Sequence, residues 1–409
     1  MKRLGYLPSP EHELLLKAGL LRDERALAAW RAWTARVRLP DDAVDSATYR
    51  LLPLVYHNLI ALGLGDTSLA LLRGIHRRTW YENQMRLRSL AELLNRFREA
   101  GMPTLVLKGA ALALRYYDNV GLRPMDDVDL MVPTERAAEA IALLHRLGWR
   151  ERPYREIRDV DSTVIAARHA WEFINAAGDR MDLHWHALFT SCFPGADEPF
   201  WHGAEPLTVG YASSLALNAT DALLHTCAHG ARWNLLPSVR WVSDAIYILR
   251  SGPHRIAWQR FVELADWLGV TPHVRDSLDY LIQHFDAPVP AEALAQLAAN
   301  ATAVPPAERR AYAYFSSTPA NLLPGVARVW HDYRHYRSLW MRRTSSRPPI
   351  GLFAYARATS GQPTNLNLLR RALQLVRRDV PTWIGRIGQL RRGKRQTRHT
   401  RPSGSAATQ

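Results

Sequence analysis

The chain has 409 residues, 47% of them apolar and 22% charged, so it can bury a sizeable core and is too long for one small domain. Two cysteines, Cys192 and Cys227, exclude a disulfide framework and a thiolate metal cluster and predict a reduced, cytoplasmic protein. The net charge of +15 is unevenly placed: Arg370 to Arg401 holds eleven Lys or Arg against Asp379 alone, a balance of +10, which leaves the body only mildly basic.

The start soon meets the polar run Pro10-Glu-His-Glu13 and lacks the apolar stretch of a signal peptide. No apolar run reaches the ~18 residues of a membrane span, so none is expected. Residues 10–100 read as helices: Glu13–Arg22, Ala26–Trp30 and the long stretch Leu69–Ala100 carry helical apolar spacing. Gly101-Met-Pro103 stops the last of them.

The pattern then changes. Thr104–Leu107 is a short apolar run after a breaker, hence a buried strand, and Ala110–Tyr117 is helix-like. Asp118, Asn119 and Gly121 make a loop, and Val128–Val132 is a second strand. Pro133-Thr134 opens a helix through Leu147, closed by Gly148. Arg168–Asn175 and Arg180–Leu188 read as strands around the turn Ala176-Ala-Gly-Asp179.

From there the reading is helical again: Ser214–Arg232, Ser238–Leu249, Trp258–Leu268 and Val274–Phe285, with proline breaks beyond. Residues 344–364 read as a linker, and the last ten residues as disordered. The expected fold class is α+β, a mostly helical chain with an inserted α/β core built on a small mixed sheet. The expected domains are residues 1–100 helical, 101–190 the core, 191–343 helical, and 344–409 linker and basic tail.

Asp127 and Asp129 carry the chemistry. In a strand, residues i and i+2 share a face, which puts both carboxylates on one side about 7 Å apart at ~3.3 Å per residue. Charges at the start of a buried strand need a partner, and paired carboxylates suit a divalent cation such as Mg²⁺ with substrate phosphates. Asp126 faces the other way and reads as a solvated or capping residue. Asp182 shares a strand face with His184 and His186 and would supply a third acid, either to the metal or as general base for a hydroxyl. His184 would support the site from behind.

Lys108 and Gly109, between strand and helix, can meet phosphate oxygens with a cation and an unhindered backbone. Arg123 would either neutralise a triphosphate or hold the carboxylate pair. Asp221, His225 and His229 fall at i, i+4 and i+8 without the Glu of a zinc-protease motif, and read as core or cleft-lining. Arg240 and Asp244 read as an i, i+4 ion pair on a helix face.

The ordered set Lys108-Gly109, Arg123, Asp127-Val-Asp129-Leu and Asp182-Leu-His-Trp185 resembles the bacterial "uncharacterised nucleotidyltransferase" family of the polymerase-beta-like superfamily. Leu224-His-Thr-Cys-Ala-His-Gly230 with Arg240-Trp-Val-Ser-Asp244 is similar to that family's C-terminal half, and the similarity spans roughly residues 10–250. It implies a nucleotidyltransferase fold with three acids holding Mg²⁺ or Mn²⁺. It also implies transfer of a nucleoside monophosphate from an NTP such as ATP to an acceptor, with pyrophosphate released. Where the superfamily carries Gly-Ser after the first strand, this chain has Gly109-Ala110, which removes one phosphate contact. The expected partners are thus an NTP and an acceptor of unknown identity. The alternative is a catalytically silent nucleotide- or partner-binding accessory protein of a biosynthetic cluster. Nucleic acid bound through the basic tail is a third, less favoured reading and would be steeply salt-dependent.

Overall fold

A computed structural model describes residues 4–39, 41–65, 69–153, 160–231, 239–252, 256–317, 325–362, 364–370 and 372–374. The basic tail beyond residue 374 lies outside them, and so do the expectations placed on it. The chain begins with four helices: α1 (Pro10–Leu20), α2 (Glu24–Thr34), α3 (Ser46–Ala61) and α4 (Ala70–Glu99). Ser9, Asp23 and Asp45 cap the first three by accepting from backbone N–H groups of the first turn. Along α4 the buried positions Leu72, Ile75, Thr79, Asn83, Leu87, Leu90 and Leu94 recur every three or four residues. Gly101, at φ 64°, turns the chain out of α4.

Then follow β1 (Leu105–Leu107), α5 (Lys108–Arg115), β2 (Val128–Met131), α6 (Ala137–Arg146), β3 (Arg150–Glu151), α7 (Ser162–Ala167), β4 (Ala170–Ile174) and β5 (Arg180–His184). Next come α8 (Glu198–Gly203), β6 (Glu205–Val209), β7 (Ala212–Ala216), α9 (Ala219–Gly230), α10 (Arg240–Arg250), α11 (Trp258–Trp267) and α12 (Thr271–Phe285). The described chain closes with α13 (Ala291–Ala303), α14 (Pro306–Ser317), α15 (Gly325–Thr344) and α16 (Leu352–Ser360).

The seven strands form one mixed sheet in the order β3-β4-β5-β2-β1-β7-β6. β2 runs antiparallel to β1 and parallel to β5, and β1 runs parallel to β7. The expected mostly helical α+β chain with a mixed sheet is therefore the observed one. The central strands are covered on both faces. Leu105, Leu107 and Met131 join a core with Leu16 of α1, Leu51 of α3, Leu223 of α9 and Val242 of α10. The alternate residues Val106, Val128 and Leu130 join a second core with Leu94 of α4 and Leu144 of α6. Strands buried on both faces read as continuous apolar runs, which is why β1 carries three apolar residues in a row.

Three expectations need correction. Residues 205–216 form a hairpin turned at Gly210 (φ 57°), and the helix expected from Ser214 begins at Ala219. Glu205–Val209 is a five-residue edge strand with only Leu207 and Val209 buried, and β7 holds its place by pairing with β1, 110 residues earlier in the chain. The stretch 344–364 contains α16, whose Tyr355 and Ala358 are buried against the second core. Finally, β2 begins at Val128, so Asp127 sits in the bend before it. Cys192 and Cys227 are both buried, and neither forms a disulfide. Among the described residues no helix is long and apolar enough to cross a membrane.

Candidate active site

The register of the sheet makes the site. Leu107 pairs with Asp129 across β1 and β2, and Asp129 pairs with Asp182 across β2 and β5. Cross-strand partners project to one face, so Asp129 and Asp182 stand side by side on the face that carries Leu107. That face is covered by α3, α9 and α10, and a cavity of about 470 Å³ lies between them. Asp127, Asp129, Asp182, Lys108, Gly109 and Arg123 all line it. The three acids from two stretches of backbone thus reach one cavity beside a lysine.

Lys108 adopts φ 43°, a left-handed conformation that costs a residue with a side chain and persists where the surroundings fix it. Its Nζ donates to Asp129 Oδ1 at 2.7 Å and lies 3.3 Å from His184 Nε2. His184 Nδ1 is 3.3 Å from the carbonyl of His186. The other ring nitrogen, Nε2, is 3.1 Å from Asp129 Oδ1, an oxygen that can only accept, so Nε2 donates to it. Ligand atoms of Asp129, Asp182 and His184 lie within 4.8 Å of one another. Asp127 is outside that trio but lines the same cavity. His184, expected behind the acids, brings a ring nitrogen among them.

The charges are unequal. Burial would raise Asp129, but the Lys108 ammonium and the His184 contact outweigh it and hold the carboxyl well below its usual range. Burial, and then the charge of Asp129, raises Asp127. Burial, Asp129 and Asp127 push Asp182 up to about 7. His184 is lowered by burial and by Lys108, so it stays neutral. Three carboxyl groups share one ammonium at the strand face, and their mutual repulsion, seen in the raised Asp127 and Asp182, is what a divalent cation there would relieve. The donor set of carboxylates with one neutral imidazole nitrogen fits Mg²⁺ or Mn²⁺.

Arg123 does not hold the carboxylate pair. It is buried, and its Nε and Nη2 donate to Asp244 Oδ1 and Oδ2 at 2.7 and 2.8 Å, with the Tyr117 hydroxyl donating to Asp244 Oδ1 at 2.7 Å. The expected Arg240–Asp244 pair on α10 is accordingly absent among the described residues: Asp244 turns inward to Arg123, and Arg240 Nη1 donates to the Pro124 carbonyl. Asp126 is neither a cap nor free, since it pairs with Arg50 of α3. Gly109 packs so close to Arg123 that a Cβ there would lie 3.1 Å from Nη1 and 3.2 Å from Met125 Sδ. Ala110 is fully buried in the second core, turned away from the cavity lining.

The helical wall holds residues that sequence reading missed or assigned elsewhere. Arg50 arrives from α3 and Arg240 from the first turn of α10, and both line the cavity. Nothing in the spacing around Arg50 marks it; only packing brings it to Asp126. His225 and His229 line the cavity as expected of cleft residues, with His225 Nε2 3.1 Å from the Ala187 carbonyl. Asp221 is turned away and forms an ion pair with Arg260. His186 bonds Asp197 at 2.6 Å and is structural.

A family model described as "Uncharacterised nucleotidyltransferase" matches residues 46–300, from the start of α3 into α13. No curated relative matches the chain. Among solved structures, an antigenic nucleotidyltransferase-like protein from Paracoccidioides brasiliensis is similar at 13% identity, over 51% of this chain and 96% of that one, with a TM-score of 0.34. The antibiotic-resistance factor ANT(2'')-Ia is similar at 15% identity, over 49% of this chain and 98% of that one, with a TM-score of 0.30. The family match covers well over half of the chain and takes in both strands that bear the acids, the turn at Lys108 and the helical wall: the chain belongs to the family of uncharacterised nucleotidyltransferases.

Proposed function

We propose that the chain moves a nucleoside monophosphate from an NTP to a hydroxyl acceptor and releases pyrophosphate. One observation carries this reading: Asp129 and Asp182 are register partners in adjacent parallel strands, beside Lys108 and under a wall of arginines, in one cavity. Asp127, Asp129 and Asp182 would hold Mg²⁺ or Mn²⁺, with His184 Nε2 in reach of the same ion. When bound, the cation supplies charge neutralisation for the phosphate oxygens.

The chain's own groups do the rest. The Asp182 carboxylate takes the proton of the acceptor hydroxyl, whose oxygen forms a bond to the α-phosphorus as the bond from that phosphorus to the β-phosphate's bridging oxygen breaks. Lys108 and the Gly109 amide meet the charge that pyrophosphate carries away. The cover of α3, α9 and α10 keeps bulk water from competing with the acceptor. The test is incubation with Mg²⁺, α-labelled NTPs and a panel of hydroxyl-bearing small molecules and peptides. Label should pass to an acceptor with the natural chain and not with Asp127→Asn/Asp129→Asn. If the double variant also binds Mg²⁺–ATP as tightly as the natural chain, the assignment of these acids fails.

Ala110 favours a second reading, a catalytically silent nucleotide-binding protein. The superfamily's serine contact has no counterpart in a methyl group buried in the core. On that reading nucleotide binds and no acceptor in the panel is ever labelled.

A further inference from the structure

With Ala110 inert, the tail of a triphosphate needs donors from elsewhere, and the helical wall has them. Arg240 lines the cavity and makes no ion pair among the described residues; its one side-chain hydrogen bond goes to the Pro124 carbonyl. Asp244, one turn further along α10, favours the cation by its charge, as Asp127 does, but makes no ion pair with it among the described residues. Both of its oxygens are taken by Arg123, and Oδ1 by the Tyr117 hydroxyl as well. Burial, then the like charges of Arg123 and Arg50, disfavours the Arg240 cation and brings it down to about 10, so it remains charged at neutral pH.

Two further donors face the same space. Arg123 uses Nε and Nη2 on Asp244, and Nη1 has no partner among the described residues; it lies over Gly109, where the missing side chain leaves the approach open. Arg50 pairs with Asp126, which is partly exposed, and feels the charge of Asp127. Three guanidinium groups crowded on one wall, only one of them in a buried ion pair, repel each other, and a polyanion between them removes that penalty. Guanidinium is the group suited to this, since its planar fork meets two phosphate oxygens at once.

We propose that Arg240, with Arg123 Nη1 and Arg50, holds the β- and γ-phosphates of the nucleotide, so that the cavity selects a triphosphate and grips pyrophosphate while holding a monophosphate weakly. This rests on the nucleotidyltransferase reading and names the part of the substrate that the helical wall recognises. It places the phosphate contact absent at residue 110 on helices α3 and α10.

The test is calorimetric titration of the full chain with Mg²⁺–ATP, Mg²⁺–pyrophosphate and AMP. Arg240→Gln keeps a donor for the Pro124 carbonyl and removes the charge. It should lose at least tenfold in affinity for ATP and for pyrophosphate, with AMP unchanged; Arg240→Lys should recover part of the loss, and Arg50→Gln should show a smaller one. If the natural chain binds ATP and Arg240→Gln binds ATP and pyrophosphate within twofold of it, the inference is overturned and the nucleotidyltransferase reading stands. If the natural chain binds neither ATP nor pyrophosphate, both fall. If Arg240→Gln does not fold by circular dichroism, displacement of a fluorescent ATP analogue from the natural chain decides. Pyrophosphate displacing it at tenfold lower concentration than AMP supports the inference, and AMP displacing it as well as pyrophosphate overturns it.

Discussion

Arg123 and Asp244, 121 residues apart, form a two-pronged buried ion pair that ties the approach to β2 to the α10 helix. Both side chains are almost fully buried, at 7% and 6% exposure, so neither charge has water to fall back on. Replacing Asp244 with Asn leaves an arginine buried without its counter-charge. The expected loss is about 3–5 kcal/mol of stability in urea unfolding. A loss below about 1 kcal/mol would mean that water reaches Arg123.

Among the described residues, Lys108 is the one ammonium that stands with the acids. In Lys108→Met, Asp129 loses its counter-ion next to Asp182 and Asp127, and stability without divalent cations should fall by about 3 kcal/mol. Saturating Mn²⁺ should then raise the melting temperature of the variant more than that of the natural chain, because the ion and the ammonium serve the same carboxylates. Equal shifts in both proteins would separate the lysine from the metal site.

Gly230 is the last residue of α9, where that helix meets α10. A Cβ at this position would lie 2.1 Å from Trp241 Cγ, well inside van der Waals contact. Gly230→Ala must displace Trp241, at a cost of about 1–3 kcal/mol. Trp241 is the neighbour of Arg240, so ATP affinity should drop together with thermal stability. Unchanged ATP binding in a destabilised variant would show that Arg240 is held independently of the helix contact.

His273 and His335 answer to pH. Burial, and then each other's proximity in the case of His273, disfavours their charged forms; His273 is brought down to about 3. The ordinary unfolded value is about 6.5. Below that pH the unfolded chain takes up a proton that the folded chain refuses. The stability owed to neutral His273 is therefore full above about 6.5 and is lost as pH falls towards 3. The slope approaches about 1.4 kcal/mol per pH unit for each such histidine. His273→Gln should lose less stability than the natural chain between pH 6.5 and 5 in urea titrations. Comparing the two chains cancels Asp182, whose raised value works in the opposite direction. Parallel curves would show that the ring is protonated in the fold.

The acids were legible because strand geometry is local. Asp129 and Asp182 each sit in a short apolar run with a two-residue period, and any strand must present them as it does. Asp127 was legible as a neighbour but not as a bend, because one residue of strand end turns on hydrogen bonds to a partner. The hairpin at 205–216 was not legible. Its edge strand is short, with only Leu207 and Val209 buried, and what holds β7 is a parallel neighbour far away in the chain. Parallel pairing requires a distant crossover and leaves little trace in the segment itself.

Arg240 and Asp244 show the limit most directly. Their i, i+4 spacing is that of a helix-face pair, and spacing alone cannot tell which partner a buried carboxylate prefers. The sequence by itself determined a helical chain interrupted by an α/β core, the two acidic strands and the turn carrying Lys108 and Gly109, since helix period, strand period and turn chemistry act over a few residues. Only the tertiary structure decided that Arg123 belongs to Asp244, that Arg50 and Arg240 face the acids, and that His184 turns a ring nitrogen towards them. Those pairings follow from burial, where each charge must find the best compensation that packing brings within reach, however far away it lies in the chain.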